Sequence, residues 1–570
     1  MVKPLVTLVN PNKVHPAITP YALDILTTFL EQEDFDVEVL DLTFCRDQWR
    51  EAVAGYFDSR TPLLIGITIR NTDTIYAQDQ RVFLGEHQEI IAEIRRHSRA
   101  PIVAGGAGFS SMPFAAASYL GIDYGVKGPG EVILCQLAKV LVGGKTPAIP
   151  GLIVNHGNDQ IERIPVAGTA DGLLGLAGFR EPRTWQVDKT ASYQRRSGDP
   201  FRVDNAEYYR RGGLGNILTK NGCPFACAHC LEPDAKGNRF ATRTAASVVD
   251  EMETLAIQGI YDLHTADSEF NLGIASSKEV LREIVRRKER DASSPLCQMR
   301  LWVYCQPAPF DDEFAGLLAA AGCAGVDVAC DHVRDDMLNG WKVTGKQTRY
   351  YTFDDVTATV GLIRKHGMLC LVDVLLGMPG ETLETLRDAI DRTMALDTTV
   401  VGFSLGIRVF PYSPLGIWCA ARSDGTRPVP GLQSNTATEP IILRQAHQCG
   451  TPLEYERQFM FEASGTIRPV FYFSPDLPEE PETIAQANGR RVNTLRFMWD
   501  YIPATEYPRI MLPTIPGVSE NDNSYADNPF VTSLVKLGYK GAYWSRWRER
   551  DAIMREASRQ GLFPLDQPVR

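Results

Sequence analysis

The amino-acid sequence predicts an α/β fold in three parts: a Rossmann-like N-terminal domain, a central domain of six strand–helix units and a C-terminal α+β cap. Two observations predict it. Short apolar runs alternate with amphipathic helical patterns as far as about residue 430, which is typical of parallel sheets covered by helices. Beyond that point the chain becomes rich in proline, polar and aromatic residues. We therefore expect domains at 1–170, 206–430 and 431–570, with a polar connector at 171–205.

Composition narrows the class of protein. The 570 residues are 44% hydrophobic, enough for roughly three or four domain cores. No apolar run reaches the roughly 20 residues that cross a bilayer, and no cleavage signal follows Met1, so we expect a cytoplasmic protein without a membrane partner. The net charge of −11 is spread along the chain, which argues against nucleic acid as the main partner. Twelve cysteines are too few for a disulfide scaffold.

The N-terminal domain is predicted to be a doubly wound parallel sheet. Amphipathic helical patterns, for example at Glu89–His97 and Glu131–Leu141, separate short buried runs. Alternation of this kind is the signature of parallel strands joined by crossover helices. The predicted strands are Leu5–Asn10, Val37–Leu42, Pro62–Ile69, Pro101–Gly105 and Ile122–Val126.

Polar or glycine-rich segments follow several of these strands. Because the carboxyl ends of parallel strands meet at one edge of the sheet, such segments are candidates for ligand binding. A nicotinamide site would need G-x-G-x-x-G after the first strand, and the turn there is Asn10-Pro-Asn-Lys13, which argues against nicotinamide. The candidate cofactor-binding residues are Asn10, Arg70, Asn71, Thr72, Asp73, Gly105, Gly106, Gly108, Gly128, Gly130 and Glu131.

The central domain repeats a strand and a helix six times. We predict strands at Gly215–Thr219, Tyr261–Thr265, Leu301–Cys305, Gly325–Cys330, Leu369–Gly377 and Val401–Val409. The intervening helices are predicted at Ala245–Ala256, Lys278–Lys288, Asp311–Ala320, Phe353–His366 and Thr382–Leu396. Functional groups are expected at the C-terminal ends of such strands.

Three cysteines lie in one short loop after the first strand of this domain. Cys223, Cys227 and Cys230 form a C-x3-C-x2-C triplet. Three thiolates on a cubane iron–sulfur cluster leave one iron open to a substrate or cofactor. The alternatives are a zinc loop with a distant fourth ligand, or three cysteines that are merely close in the core.

The triplet and the six strand–helix units together resemble the radical S-adenosylmethionine (SAM) enzymes and their (β/α)6 partial TIM barrel. The resemblance implies a [4Fe-4S] cluster on the three cysteines and SAM beside it. Asp267-Ser-Glu-Phe-Asn271 ends the second unit, where this family holds the SAM amino group, so Glu269 and Asn271 are candidate SAM contacts. Glu269 could instead ligate the open iron, or simply cap a helix.

Further landmarks follow in the family's order. Tyr304 ends the third strand, Leu376–Thr382 matches the G-x-P-G-E-T turn, and Arg408 precedes a Phe-Pro-Tyr turn. The resemblance makes Tyr304 a candidate catalytic residue and Arg408 a candidate cofactor contact. The structural alternatives are a core tyrosine and an ordinary turn at Gly377–Gly380.

The N-terminal domain, placed before such a core, resembles the cobalamin-binding domain of the class B radical-SAM methyltransferases. It contains no D-x-H-x-x-G sequence, so cobalamin would bind base-off and without a histidine on cobalt. Arg70, at a strand end, would place a fixed cation where the lower ligand otherwise sits. The alternative for Arg70 is a salt bridge to Asp73.

Cobalamin and SAM in one chain imply methyl transfer to carbon, from SAM through methylcobalamin, with an external electron donor. The segments at Arg70–Asp73 and Asp267–Asn271, with Tyr304, resemble the enzymes that methylate C2 of L-tryptophan in thiostrepton-type antibiotic biosynthesis by polar transfer. That resemblance makes Tyr304, Glu269 and Arg70 the candidate catalytic residues. Tyr304 or a carboxylate would act as the base for the indole N–H.

Three other functions were weighed. The same cofactors could methylate another carbon through a 5′-deoxyadenosyl radical. A methylthiotransferase would need three more cysteines in the N-terminal domain, where only Cys45 and Cys135 lie. A non-catalytic iron–sulfur or zinc module would leave the glycine-rich N-terminal fold without a purpose.

The C-terminal region is predicted to be a substrate-shaping lid. A helical pattern covers Glu482–Trp499, and Trp499, Tyr501 and Tyr472 are its notable aromatic residues. Cys419 and Cys449 are too few to hold an auxiliary cluster.

Overall fold

The computed structural model describes residues 3–165, 203–341 and 351–477, apart from short gaps at 14–16, 76, 78–80, 239–240 and 435–438, together with short segments between 501 and 561. Residues 171–202 of the predicted connector lie outside the described residues. The predicted helix Glu482–Trp499 also lies outside them. Within the described ranges, every helix is too short or too polar to span a lipid bilayer.

The N-terminal sheet has seven strands in the order β2-β1-β3-β4-β5-β6-β7. The first five, all predicted, are parallel: β1 Leu5–Asn10, β2 Asp36–Asp41, β3 Leu64–Thr68, β4 Ile102–Gly105 and β5 Tyr124–Val126. The sequence reasoning missed the antiparallel edge strands β6 and β7, because each has only three or four residues: Leu152–Asn155 and Ile161–Arg163. The helices of this domain are Tyr21–Gln32, Trp49–Phe57, Leu84–His97, Ala107–Ser111, Pro113–Leu120 and Glu131–Val142.

The central sheet confirms the predicted partial barrel. Six parallel strands lie side by side in chain order: β8 Gly215–Ile217, β11 Asp262–Thr265, β12 Arg300–Cys305, β13 Cys323–Asp331, β14 Leu369–Leu376 and β15 Val400–Leu405. The helices that follow the strands are Ala245–Ile257, Ile274–Arg290, Asp312–Ala321, Phe353–Lys365 and Leu383–Met394. Threonine or aspartate side chains cap four of these helices, at Thr244, Asp311, Thr352 and Thr382.

The last predicted strand is shorter than expected. It ends at Leu405, and Ile407–Arg408 forms a separate strand, β16, of another sheet. Gly406 separates them with a φ of +78°, and a Cβ there would lie 2.3 Å from the Phe473 ring. Only glycine fits this turn, so the chain changes direction here.

Short elements complete the described structure. An antiparallel sheet forms where β16 pairs with Phe471–Tyr472 (β18) and β18 pairs with Leu432–Gln433 (β17). Ile510–Met511 (β19) adds to the edge of the barrel sheet beside β15. Tyr472 is buried in β18, whereas Tyr501 is 36% exposed and donates to Asp391 at 2.7 Å. The other short strands are Lys220–Asn221 (β9), Ala241–Thr242 (β10), Thr514–Ile515 (β20) and Val518–Ser519 (β21), and the other helices are Asn205–Arg210, Glu232–Lys236, Asp335–Trp341, Pro414–Ala421 and Pro452–Arg457.

The domains share a hydrophobic core. One cluster belongs to the barrel, but another includes Ile69 and Phe109 of the N-terminal sheet together with Ile407 and Phe459 of the later chain. Burial of such a continuous apolar surface holds the N-terminal domain against the barrel. The carboxyl ends of β3 and β4 therefore lie close to the loops of the barrel.

Candidate active site

The cysteine loop follows the first barrel strand and is fastened at several points. The backbone N–H of Cys223 donates to Gly237 O at 2.9 Å, and that of Ala228 to Trp341 O at 2.9 Å. Within the loop, the N–H of Cys230 donates to Cys227 O at 3.1 Å. These bonds fix the backbone that presents the three thiols.

The thiols of Cys223 and Cys230 are neutral unless a cation is bound to them. Burial raises the pKa of Cys223 to about 12 and the pKa of Cys230 well above its usual value. Thiolates are stable in such a position only as metal ligands, because the metal supplies the compensating charge. The loop therefore fits an iron–sulfur cluster chemically.

The spacing of the side chains bears on the zinc alternative. Among the described residues, no three His, Cys, Asp or Glu side chains converge on one point as the ligands of a single ion do. A cubane cluster binds each thiolate through a different iron, so its ligands lie further apart.

Glu269 lies beside the cysteine loop. Its negative charge contributes to the raised pKa of Cys223, and its Oε1 accepts from Gln306 Nε2 at 2.7 Å. Gln306 is 2% exposed and directly follows β12. The sequence reasoning missed Gln306, although a polar residue just after a buried strand is a usable signal.

The rest of the Asp267–Asn271 segment supports Glu269. Asn271 donates to Gln306 O and Pro309 O, both at 2.8 Å, and accepts from the N–H of Gln306 at 2.8 Å. Asp267 accepts from the backbone N–H groups of Thr219 at 2.8 Å and Lys220 at 3.1 Å. Contact of Asn271 with SAM stays a prediction.

Lys220 is a supporting residue that the sequence reasoning missed. It is 2% exposed, and its ammonium donates to Leu272 O at 2.8 Å, to Ser277 Oγ at 2.9 Å and to Phe270 O. Burial lowers its pKa. A buried cation with three donors, each bonded, fastens the segment that carries Glu269 to the start of the cysteine loop.

Tyr304 lies in β12, half-buried, with its ring 4.8 Å from that of His264 in an edge-to-face contact. In the sheet it is the register neighbour of Asp327 on β13. Burial lowers the pKa of His264 to about 4, so this histidine is neutral. Side chains of one register row point to one face, which brings Tyr304 and Asp327 to the barrel interior.

Two carboxyl groups in this region were not predicted: Asp327 is buried and Asp373 is half-buried. Burial, with the nearby charges of Asp373 and Glu269, raises the pKa of Asp327 well above its usual value. Burial and Asp331 raise the pKa of Asp373 to about 7. A carboxyl group with a pKa near neutrality is suited to proton transfer.

The G-x-P-G-E-T turn is held from inside. Glu381 is fully buried, accepts from the N–H of Gly377 and lies 3.1 Å from His332 Nε2. Because His332 Nδ1 accepts from the N–H of Arg334 at 3.1 Å, Nε2 carries the proton. The turn thus ties the ends of the fourth and fifth barrel strands together.

On the N-terminal side, Arg70 lies two residues after the end of β3 and is only partly buried. Its Nη1 donates to Asn71 Oδ1 at 3.2 Å, and it forms no ion pair with any described carboxylate. Asp73 pairs instead with Arg408, 3.1 Å from Arg408 Nε to Asp73 Oδ2, and also accepts from Thr72 Oγ1 at 3.0 Å. The alternative of an Arg70–Asp73 salt bridge is therefore wrong, and cofactor contacts by Asp73, Thr72 and Arg408 stay predictions.

The glycine-rich segment packs against this loop. A Cβ at Gly106, whose φ is +104°, would lie 2.6 Å from Ile69 O, and one at Gly108 would lie 2.8 Å from Asn71. The N–H of Gly108 donates to Arg70 O at 2.9 Å. These two glycines allow two backbone segments to approach each other closely. The sequence analysis had predicted only a cofactor-binding role for them.

Asn10 belongs to a buried polar network. Its Nδ2 donates to Asp41 at 3.1 Å, Thr43 at 3.0 Å and Tyr208 Oη at 2.9 Å. Tyr208 lies in the helix Asn205–Arg210 that leads into the barrel. Asn10 therefore joins the two domains, and its contact with a cofactor stays a prediction.

An apolar cavity of about 320 Å³ opens between the two domains at the carboxyl end of the N-terminal sheet. Such a cavity suits a flat aromatic group such as the base of the cobalamin nucleotide tail. Its wall combines predicted cofactor residues with residues close to the cysteine loop: Gly105, Gly106, Gly128, Gly130 and Glu131, and on the barrel side Leu218, Asn221 and Ala266.

Comparisons with known proteins agree with this arrangement. Models of the B12 binding domain and of the Radical SAM superfamily match residues 9–138 and 217–393. The tryptophan 2-C-methyltransferase of Streptomyces laurentii is 55% identical over 98% of this chain and 98% of its own length.

Two solved structures of one relative match almost the whole chain. The radical SAM methyltransferase TsrM of Kitasatospora setae, with cobalamin and a [4Fe-4S] cluster bound, has a TM-score of 0.88 and 56% identity, covering 99% of this chain and 100% of that one. The same enzyme with tryptophan and the SAM analogue aza-SAM bound has a TM-score of 0.86 and 58% identity, covering 98% and 99%. By sequence and structure over nearly its full length, the chain belongs to the cobalamin-binding radical SAM methyltransferases, the family of the tryptophan 2-C-methyltransferase.

Proposed function

We propose that the protein moves a methyl group from SAM, through cobalamin, to C2 of L-tryptophan in antibiotic biosynthesis, by polar transfer. One observation carries the proposal: the apolar cavity between the domains is lined by Gly105 and Gly106 on one side and by Asn221, two residues before Cys223, on the other. A cofactor in that cavity lies next to a cluster on the cysteine loop. The named relatives act on or bind tryptophan.

Cobalamin would bind base-off, with its nucleotide base in the cavity. The domain offers no D-x-H-x-x-G histidine, and the Arg70 guanidinium is not neutralised by a described carboxylate. A guanidinium cation below cobalt has no lone pair to donate to the metal, and it repels the partly positive hydrogen atoms of a water molecule bound there. It therefore disfavours a lower ligand. Reduction to cob(I)alamin by an external electron donor then becomes easier.

The cluster would be held by Cys223, Cys227 and Cys230, beside Glu269. If Glu269 ligates the open iron, SAM cannot chelate it through its amino and carboxylate groups, and reductive cleavage of SAM is suppressed. Cobalamin, when bound, supplies the nucleophile that takes the methyl group and the donor that passes it to carbon. The bond from Gln306 to Glu269, which is partly buried, holds that carboxylate in place.

Tryptophan would meet its base in the barrel interior. Tyr304, or one of the carboxyl groups Asp327 and Asp373, would take the indole N–H proton and raise electron density at C2. The Asp373 pKa of about 7 suits a base that works near neutral pH.

The protein would act in the cytoplasm, with domains at 1–170, 206–430 and 431–570.

The test is an anaerobic reaction with SAM carrying a trideuterated methyl group, L-tryptophan and a chemical reductant. We expect 2-methyltryptophan with three deuterium atoms, located at C2 by NMR. Tryptophan already methylated at C2 is the control and should give no product. Methylation at another carbon, or methylcobalamin that forms and never passes its methyl group to tryptophan, would contradict the proposed substrate.

A further inference from the structure

Arg408 joins three parts of the molecule at one buried point. Its Nε bonds Asp73 Oδ2 at 3.1 Å, and the two side chains are 3% and 1% exposed. Its Nη1 donates to the carbonyls of Val409 at 2.6 Å, Phe459 at 3.2 Å and Val470 at 3.1 Å. The guanidinium is thus committed to the N-terminal domain, to β16 and to the later chain.

Asp73 is equally committed. Besides Arg408, its Oδ2 accepts from Thr72 Oγ1 at 3.0 Å, and its Oδ1 accepts from the N–H of Ile75 at 2.9 Å. A buried carboxylate without a cation is strongly disfavoured, so removal of Arg408 would leave Asp73 in need of another positive partner.

Arg70 is the cation closest in sequence, three residues away on the same loop. Only two residues separate Arg70 from Asp73, so Arg70 is the alternative cation for that carboxylate. In the structure the Arg70 guanidinium bonds the neighbouring Asn71 side chain at 3.2 Å, and it pairs with no described carboxylate. Asp73 therefore pairs with Arg408 and not with Arg70.

We propose that Arg408 is a positioning residue for the cobalamin site: by holding Asp73 it keeps that carboxylate from capturing the Arg70 guanidinium. The inference rests on the proposed position of Arg70 below cobalt. It does not make Arg408 a contact of the cofactor. The packing of Gly106 and Gly108 against residues 69–71 fixes the other side of the same loop.

The experiment is electron paramagnetic resonance of the full-length protein loaded with cob(II)alamin, for the wild type and for Arg408→Met, Asp73→Asn and the double variant. We expect a four-coordinate signal in the wild type and its loss in Arg408→Met, because Asp73 draws Arg70 away and water binds cobalt. Asp73→Asn and the double variant should keep the wild-type signal, since no carboxylate remains to capture Arg70. Arg408→Lys should keep much of it.

A merely structural ion pair would behave differently. The inference is overturned if Arg408→Met keeps the wild-type signal, or if the double variant loses it. Should Arg408→Met fail to fold, the double variant alone decides by the same criterion. Arg70→Met tests the proposed position of Arg70 by itself. An unchanged signal in that variant removes Arg70 from the cobalt site. A changed signal there, together with an unchanged signal in Arg408→Met, rejects only the role of Arg408.

Discussion

The predicted site has two sides, which are supported in different ways. We call the cysteine loop with Glu269 and Lys220 the cluster side, and the Arg70 loop with Asn10 the cobalamin side. Glu269 is held by Gln306, 37 positions away, and Lys220 bonds a carbonyl 52 positions away, all within the barrel. The loop of Arg70 is held through Asp73 by Arg408, 335 positions away, and Asn10 reaches Tyr208 over 198 positions. The bonds that hold Glu269 and Lys220 are therefore made within the barrel, whereas those that hold the Arg70 loop and Asn10 cross between the domains.

The largest effect is expected from a change that removes the cluster and leaves the cobalamin side intact. Changing Cys223, Cys227 and Cys230 together to alanine should remove about four irons per chain and abolish methyl transfer to tryptophan. Cobalamin binding should persist, because the supports of the Arg70 loop do not include this loop. Iron, sulfide and cobalt analyses measure both.

The matched control replaces Cys45, Cys297 and Cys449, three other cysteines that are not fully buried, and should keep its iron. A first triple variant that retains iron and sulfide would reject the cluster assignment. Loss of cobalamin together with the iron would mean that the two sides are not independent.

A smaller effect sharpens the view that the cluster side supports itself. Lys220→Met removes a buried cation and leaves the carbonyl of Leu272 and the hydroxyl of Ser277 without their donor. We expect a loss of roughly 2–3 kcal/mol in the free energy of unfolding. Thermal unfolding checks this, with the exposed Lys365→Met as control, expected within about 0.5 kcal/mol of wild type. Equal effects of the two substitutions would show that the buried bonds contribute little.

The smallest effect concerns the contact between the later chain and the N-terminal domain. Glu456 accepts from the N–H of Ala115 and from Tyr412 Oη, both at 2.8 Å, and burial raises its pKa from 4.5 to about 8. The folded state therefore binds this proton more tightly than the unfolded state. The contribution of Glu456 to stability is complete below about pH 4.5 and declines as the pH rises to about 8.

Glu456→Gln should remove that decline, because its amide does not titrate. We expect the stability of the wild type relative to the variant to fall between pH 5 and pH 8, by on the order of 2 kcal/mol. Glu454→Gln in the same helix is the control, since Glu454 is only half-buried and its pKa is lowered by its bonds to Gly450 and Arg444. A pH-independent difference between wild type and Glu456→Gln would contradict the assigned pKa.

The same contrast explains what could be predicted from the sequence. Strand and helix periodicity predicted the five parallel strands of the first sheet and all six of the barrel, and the cysteine spacing predicted the cluster loop. Arg408 drew attention as a candidate cofactor contact at the end of the sixth predicted strand, but its partner Asp73 is 335 positions away, and no local pattern predicts that pairing. Gln306 and Lys220 were missed for another reason: a polar residue at a strand end is a signal, but the sequence does not show that its side chain is buried and bonded to a distant residue.

The central claim is polar methyl transfer from SAM through cobalamin to C2 of tryptophan, and counting nucleosides under turnover tests it most directly. Mass spectrometry would quantify S-adenosylhomocysteine, 5′-deoxyadenosine and 2-methyltryptophan in one anaerobic reaction. If Glu269 keeps SAM off the open iron, each 2-methyltryptophan should be accompanied by one S-adenosylhomocysteine and no 5′-deoxyadenosine. Formation of 5′-deoxyadenosine in step with product would contradict the polar mechanism.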